Sequence, residues 1–229
     1  MPCIPQAAAN RGFSSPSIRF HPMRLEPVAG EVGKRRGPNG PPLSHGRGAR
    51  LNRVLGFGSE NHPMDIKSGR MPIIVRPVRP DEGRIYLEIV NSAIRGLAVS
   101  HYPPDAIEGW VVPVTDESVR DLMLNPDHEV RLVAELDGKP IGIGALVVER
   151  SELRACYVSP QAARRGCGSA LVQEIERLAR ENGLMRLDLA ASINAEPFYA
   201  AHGYEVRERS DVVLGNGHRM SAVWMWKSL

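Results

Sequence analysis

The run Arg164-Arg165-Gly166-Cys167-Gly168-Ser169-Ala170-Leu171 constrains the fold of this chain more than any other stretch. It lies between an apolar segment typical of a strand and the pattern of an amphipathic helix. Glycines allow the backbone to turn tightly and to approach a ligand closely. The first turn of a helix adds unpaired N–H groups and the positive end of the helix dipole. The run therefore predicts a strand–loop–helix unit whose loop can bind an anion such as a phosphate.

Composition divides the chain near residue 70. Residues 1–70 contain 9 of the 19 prolines and 10 of the 22 glycines, and they carry a net charge of +7, which leaves about −4 for residues 71–229. A segment of this kind buries too little apolar surface to offset the entropy cost of ordering it. We therefore predict a basic, disordered extension over 1–70 and one folded domain over 71–229.

Three interpretations of the extension stay open. The first is a flexible tail, and the second is a translation start placed too early, since Met64 and Met71 directly precede ordered-looking sequence. The third is a targeting segment, although four prolines in the first 25 residues disfavour the amphipathic helix of an import signal. The basic cluster Lys34-Arg35-Arg36 has no interleaved aromatic residues, so nucleic-acid binding is not expected.

Residues 71–229 alternate between strand and helix patterns. Strand-like runs lie at 73–78, 130–136, 139–149, 153–158, 184–190, 204–209 and 219–227, and helix patterns lie at about 80–97, 103–110, 115–124, 171–181 and 194–202. Asp137-Gly138 predicts a type I′ hairpin turn. On the helix after the glycine run, Glu176 is expected on the solvent face, and the core face is supplied by Leu171, Val172, Ile175, Leu178 and Ala179. The pattern predicts an α/β (α+β) fold, with a mixed, mostly antiparallel, twisted sheet and helices on both faces.

Segment lengths and cysteine usage suggest the compartment and the partners. No apolar run reaches the roughly 18 residues of a membrane span, so we expect a soluble protein that does not bind membranes. Cys3, Cys156 and Cys167 cannot all pair and have no metal-ligand spacing, which favours a reducing, cytoplasmic location and no bound metal. The strand edges expected at both ends of the sheet are compatible with a homodimer.

Two glycine-loop classes compete for the anion site. A dinucleotide-binding G-x-G-x-x-G loop would have a third glycine at the position of Leu171 and would open a parallel βαβ domain, whereas here an antiparallel hairpin precedes the loop. A Walker loop would have Lys followed by Ser or Thr after the glycines, and this chain does not. Neither pattern is complete.

Residues 152–204 resemble the GCN5-related N-acetyltransferase (GNAT) superfamily. The glycine run is similar to its Q/R-x-x-G-x-G/A signature, and Asn194-Ala195-Glu196-Pro197-Phe198-Tyr199, followed by Gly203-Tyr204, is similar to its second motif. The early helices resemble a small bacterial branch in the positions His101, Tyr102, Ile107 and Trp110. The chain departs from the signature in that Ala163 stands where Gln or Arg is usual and Arg164 where glycine is usual.

The resemblance implies acetyl-coenzyme A as cosubstrate and direct transfer of its acetyl group to an amine of a small-molecule acceptor. The pyrophosphate would lie on the glycine loop, and the pantetheine arm would lie between two parallel strands, 153–158 and 184–190, that splay apart. The coenzyme-binding residues implied are Cys156, Tyr157, Val158, Ala163, Arg164, Arg165, Gly166, Cys167, Gly168, Ser169 and Asn194. Of these, Asn194 is also expected to cap its helix.

The resemblance also implies catalytic roles. Tyr199 stands where the family carries a tyrosine that protonates the coenzyme sulfur. An amine with a pKa of about 10 must lose a proton before it attacks, and Glu152 is the candidate base, with Glu149 second. His101 and Tyr102 fall where the family builds its acceptor pockets and are candidate substrate contacts.

The alternative function, favoured by the departure at Ala163, is a coenzyme-binding sensor that lacks efficient catalysis.

Overall fold

The computed structural model describes residues 72–214 and 217–229, so the predicted extension over 1–70 lies outside the described residues. The strands are β1 (Ile74–Pro77), β2 (Val130–Leu136), β3 (Lys139–Val147), β4 (Glu152–Val158), β5 (Arg186–Ser192), β6 (Glu205–Val213) and β7 (Arg219–Ser228). The helices are α1 (Gly83–Ala93), α2 (Pro104–Trp110), α3 (Asp116–Leu124), α4 (Cys167–Glu181) and α5 (Glu196–Ala201). A π-helical segment, Ile94–Ala98, continues α1. None of the helices in this part of the chain is long and apolar enough to cross a membrane.

The described strands form one sheet in the order β1-β2-β3-β4-β5-β7-β6. Neighbouring strands are antiparallel except for β4 and β5, which are parallel. The β2–β3 turn has φ of 54° at Asp137 and 68° at Gly138, as a type I′ turn requires. The predicted mixed, mostly antiparallel sheet is therefore confirmed. Several strand ends differ: β3 stops at Val147 before a 3₁₀ turn, β5 begins at Arg186 and β6 continues to Val213.

The sheet separates two hydrophobic cores. α4 and α5 cover one face, and α1, α2 and α3 cover the other. Two β3 glycines let α4 approach closely: a Cβ on Gly142 would lie 2.6 Å from Cys167 Sγ, and one on Gly144 would lie 3.0 Å from Ile175 Cδ1. These contacts fix the start of α4, and with it the glycine loop, against the end of the sheet.

The prediction that Glu176 faces solvent is wrong. Its side chain is buried on α4, and its two carboxylate oxygens accept hydrogen bonds from Lys227 Nζ at 2.7 and 2.8 Å. Lys227 belongs to β7. The hydrophobic period of α4 describes only α4, so it cannot predict a partner from a distant strand. A buried carboxylate of this kind is tolerated because its charge is paired.

Candidate functional site

β4 and β5 diverge at one end of the sheet. In the described structure, their backbone pairing is confined to Glu152 and Asp188. Continued in the same register, the strands would place Cys156 opposite Ser192, but no pairing occurs there. A wedge-shaped gap therefore opens between the carboxyl-terminal halves of the two strands, as the resemblance implies.

Backbone groups of β4 line one side of this gap. The Ser159 N–H donates to the Ile141 carbonyl on the β3 side at 2.8 Å. Because backbone groups alternate in direction along a strand, the N–H and C=O of Tyr157 also face β3, where it is in register with Ile143. Those of Cys156 and Val158 face the gap. Of the three predicted backbone contacts, Cys156 and Val158 fit this geometry, whereas the Tyr157 backbone is used by the sheet.

The glycine loop leaves a row of backbone donors at the mouth of the gap. Arg164 and Gly166 have φ of 61° and 91°, in the left-handed region, and α4 begins at Cys167 without a side-chain cap. The amides of its first turn therefore have no partner within the helix. Arg164 adopts a conformation that glycine would take more readily, so the departure from the family signature leaves the left-handed turn in place. Ala163 supplies no polar side chain, while Arg164 and Arg165 are exposed and add positive charge.

α5 packs directly on the first turn of α4. A Cβ on Gly168 would lie 3.0 Å from Phe198 Cζ, so glycine is needed for this approach. Tyr199 is fully buried, with its ring edge-on to Phe198 at 5.1 Å and to Tyr204 at 5.6 Å between centroids. Its hydroxyl hydrogen-bonds the Cys156 thiol. The structure therefore brings the predicted acid Tyr199 to the strand residue whose backbone faces the gap.

The two cysteines near the loop are neutral thiols. Burial raises the pKa of Cys156, and the hydrogen bond from Tyr199 opposes only part of this effect. Burial is also the main cause that raises the pKa of Cys167 to about 12. Because the thiolate is the reactive form, neither cysteine is a nucleophile at neutral pH.

Asn194 does not cap α5, which corrects the prediction. The chain first makes a 3₁₀ turn over Ile193–Ala195, and α5 starts two residues after Asn194 without a side-chain cap. The Asn194 Nδ2 instead donates to the Leu97 carbonyl at 3.0 Å. Its Oδ1 is buried and has no hydrogen-bond partner among the described residues. An unpaired buried acceptor costs about 1–3 kcal/mol, which a ligand N–H would recover.

The π-helical segment bridges the ends of the diverging strands. Gly96 lies against Pro160, which follows β4, so closely that a Cβ on Gly96 would be 2.2 Å from Pro160 Cγ. The carbonyl of Leu97 holds Asn194, which follows β5. π-helical turns are rare and are often found at functional sites. Sequence reasoning missed this segment and predicted an ordinary helix, although Gly96 disfavours helix.

Tyr102 and His101 have different surroundings. Tyr102 is buried, and its hydroxyl donates to the Ser221 carbonyl at 2.9 Å and accepts from the Ile193 N–H at 2.7 Å. This hydroxyl ties β7 to the chain after β5, and the substrate-contact role of Tyr102 stays a prediction. His101 is exposed, with Nδ1 2.9 Å from Ser100 Oγ, and stays a candidate contact.

The two candidate bases are not free at the gap. Glu152 accepts from Arg154 Nε at 2.7 Å and from Arg154 Nη2 at 2.8 Å, so both of its oxygens already have donors. It also lies four residues before Cys156, roughly 13 Å along the strand. Glu149 is exposed in the 3₁₀ turn before β4. The geometry favours neither carboxylate as the general base, and both stay predictions.

Within residues 72–214 and 217–229, no group of three or more His, Cys, Asp or Glu side chains is placed to hold a metal ion.

Comparisons with known proteins agree with this geometry. The model of the acetyltransferase (GNAT) domain family matches residues 98–222. An uncharacterized N-acetyltransferase of Methanocaldococcus jannaschii is 24% identical over 164 residues, which cover 66% of this chain and 69% of that protein. A GCN5-related N-acetyltransferase from Rhodopseudomonas palustris superposes with a TM-score of 0.64 at 28% identity, covering 70% of this chain and 98% of that one.

A more distant structure shares the fold. The paiA N-acetyltransferase from Thermoplasma acidophilum, solved in complex with coenzyme A, superposes with a TM-score of 0.55 at 18% identity and covers 69% of this chain and 100% of that one. The family match extends over more than half of the chain, from the π-helical segment through the gap to β7. The chain therefore belongs to the GNAT acetyltransferase family.

Proposed function

We propose that this protein is an N-acetyltransferase that moves the acetyl group of acetyl-coenzyme A directly to the amine of a small-molecule acceptor. The observation that carries the proposal is the gap between β4 and β5, which ends at the uncapped start of α4 and lies beside the Tyr199 hydroxyl. Two structural relatives of similar fold were solved with coenzyme A and with acetyl-coenzyme A, which supports this choice of cosubstrate.

The residues along the gap fit two parts of the coenzyme, the pyrophosphate and the pantetheine arm. The first-turn amides of α4 would hold the pyrophosphate, with Arg164 and Arg165 beside it. The backbone groups of Cys156 and Val158 would pair with the pantetheine amides as an added strand does. The Asn194 Oδ1, which has no partner among the described residues, would accept from a pantetheine N–H. The cosubstrate thus fits backbone donors and acceptors that the sheet leaves unpaired.

The chemistry needs one proton donor and an unprotonated amine. Acetyl-coenzyme A supplies the acetyl thioester. An N–H of Cys156 or Val158 would polarise its carbonyl, and Tyr199 would give a proton to the sulfur as the C–S bond breaks. The nitrogen would release one proton to water as the C–N bond forms, and Tyr199 would take a proton back from water. Because Glu152 is bound to Arg154, the amine would enter as the free base after losing its proton to water. The transfer rate should therefore rise with pH up to the amine pKa of about 10.

Ala163 favours a second candidate function, a coenzyme-binding sensor with little catalysis, because this position lacks the side chain usual in the family. Calorimetry with acetyl-coenzyme A tests binding, and thiol release over a panel of polyamines, amino acids, aminoglycosides and peptides tests transfer. We expect micromolar binding and amine-dependent thiol release. Binding without release from any amine would favour the sensor, and absence of binding would contradict both functions.

A matched control is Gly166→Val. The φ of 91° at Gly166 lies where a β-branched residue is strained, so this variant should lose coenzyme binding. If Gly166→Val bound acetyl-coenzyme A as tightly as wild type does, the pyrophosphate would not bind at the glycine loop and the first-turn amides of α4.

Gly96→Ala tests the π-helical segment. Alanine forms helix better than glycine. Any loss of stability or activity must therefore come from the new Cβ, which would lie 2.2 Å from Pro160 Cγ. We expect the unfolding free energy to fall by about 1–3 kcal/mol and transfer to slow on the order of tenfold to a hundredfold, because the segment is pushed off the gap. Urea denaturation and thiol-release kinetics measure the two effects.

The double variant Gly96→Ala/Pro160→Ala is the control for that contact. Removing Pro160 Cγ leaves Pro160 Cβ, at 3.1 Å, as the nearest Pro160 atom to the new Cβ, so much of the lost activity should return. An equally slow double variant would show that the segment does not act through this contact.

A further inference from the structure

His202 joins the end of α5 to the start of α4. Its Nδ1 lies 2.8 Å from the Phe198 carbonyl oxygen, and its Nε2 lies 3.0 Å from Ser169 Oγ. The imidazole also packs on the Phe198 ring, with 4.4 Å between centroids. His202 has no companion at metal-ligand spacing in the sequence. In the structure both of its ring nitrogens have partners, and one partner belongs to the glycine loop.

The partners of His202 define its hydrogen positions. A carbonyl oxygen can only accept, so Nδ1 carries a hydrogen and donates it to Phe198. In the neutral imidazole, Nε2 then has a lone pair and accepts from the Ser169 hydroxyl. The Ser169 side chain is therefore turned toward α5 and has its hydrogen engaged there.

Ser169 occupies the third position of α4, where its hydroxyl could act elsewhere. Serine hydroxyls commonly bond to neighbouring backbone groups, and this competes with other partners of those groups. Here the first turn of α4 has no side-chain cap. The orientation of Ser169 toward His202 is consistent with these amides being kept open.

We propose that His202 is a positioning residue for the pyrophosphate of coenzyme A, which it serves by holding the Ser169 hydroxyl away from the first-turn amides of α4. The inference rests on the proposed function, since it names a residue that shapes the pyrophosphate site at the first turn of α4. Phe198 in α5 and His202, which directly follows α5, lie four residues apart and contact Gly168 and Ser169 of α4.

The test compares two acetyl donors. S-acetylpantetheine keeps the thioester and the pantetheine amides but lacks the pyrophosphate. For His202→Ala we expect the dissociation constant of acetyl-coenzyme A to rise about tenfold, the size of one competing capping bond, and the KM for S-acetylpantetheine to stay unchanged. His202→Gln, whose side-chain oxygen can accept from Ser169, should restore most of the affinity and covers the case that His202→Ala does not fold.

A Ser169→Ala background is the matched control. Without the Ser169 hydroxyl, His202 has no group to keep from the first-turn amides of α4. Adding His202→Ala to Ser169→Ala should therefore change the affinity for acetyl-coenzyme A less than about twofold. Equal losses for both donors, or the full loss persisting in the Ser169→Ala background, would overturn the role of His202. Failure of the wild-type protein to bind acetyl-coenzyme A would instead contradict the proposed function, so the two failures are distinguishable.

Discussion

A Tyr199→Phe variant is expected to transfer acetyl groups about 100-fold more slowly than wild type, the lower end of the range for a lost general acid. The dissociation constant of acetyl-coenzyme A should not change, because the ring keeps its packing against Phe198 and Tyr204. What the variant loses is the hydroxyl that now bonds the Cys156 thiol beside the gap. Single-turnover thiol release and calorimetry separate the chemical step from binding.

Tyr204→Phe is the matched control, since it removes a hydroxyl from the same core with the ring only 5.6 Å from that of Tyr199. We expect its transfer rate to stay within about twofold of wild type, because Tyr204 belongs to the core and has no part in the proposed proton transfer. An unchanged single-turnover rate in Tyr199→Phe, at unchanged affinity, would remove Tyr199 from the mechanism.

Arg154→Ala is expected to lower the free energy of unfolding by about 3–5 kcal/mol, the usual cost of leaving buried charges without their partner. Arg154 is 2% exposed and binds three carboxylates. It holds Glu152 at 2.7 and 2.8 Å, Asp127 at 3.2 Å and Glu129 at 3.3 Å. Burial alone would lower its pKa, but the hydrogen bonds and charges of these carboxylates raise it instead. Arg154 is thus the centre of the cluster: alanine leaves Glu152 without its guanidinium partner, while Asp127 keeps Arg150 and Glu129 keeps Arg131.

Urea denaturation measures this loss, with two further variants. Arg154→Lys keeps the charge but not the bidentate contact with Glu152, so its free energy of unfolding should lie between those of Arg154→Ala and wild type. This variant can still be measured if Arg154→Ala does not fold. Arg95→Ala removes a partner from the exposed pair with Glu108 and should leave the melting temperature nearly unchanged. If Arg154→Ala were no less stable than Arg95→Ala, the buried cluster would contribute nothing to folding.

The parts of this protein that follow from short-range sequence signals could be predicted. The Asp137-Gly138 turn and the strand–loop–helix unit around Gly166 depend on the conformations of neighbouring residues, and both are present. Glu176 and Arg154 could not be predicted, because their partners lie far away along the chain. Lys227 is 51 residues from Glu176, and Glu129 is 25 residues from Arg154.

A β-bulge explains part of the difficulty at Arg154. Ala145 is in register with Ala155, and Leu146 is in register with Leu153, so Arg154 is the extra residue of β4. The bulge breaks the simple alternation of faces on which sequence reasoning depends. It puts Arg154 and Ala155 together on the wall of a small cavity of about 30 Å³ beneath α1 and α3, where an alternating pattern would have placed only one of them.

The candidate site is similarly split between local and distant causes. The loop amides and Tyr199 could be placed from motifs, since each motif fixes its own turn or helix. The hydrogen bonds of Tyr102 could not, because its hydroxyl partners, Ser221 and Ile193, come from two other segments that meet only in the folded sheet.

The single backbone pairing between β4 and β5 divides the sheet into two half-sheets, β1 to β4 and β5-β7-β6. Within each half-sheet the strands pair antiparallel. Among the described residues, the two halves are joined only by the Glu152–Asp188 pairing, at the end of the β4–β5 junction where the strands have not yet diverged. A ligand that hydrogen-bonds the unpaired backbone groups of β4 and of β5 would connect the two half-sheets across the gap. We would then expect slower amide hydrogen exchange along β4 and β5 on binding, so that the cosubstrate becomes a structural member of the sheet that recognises it.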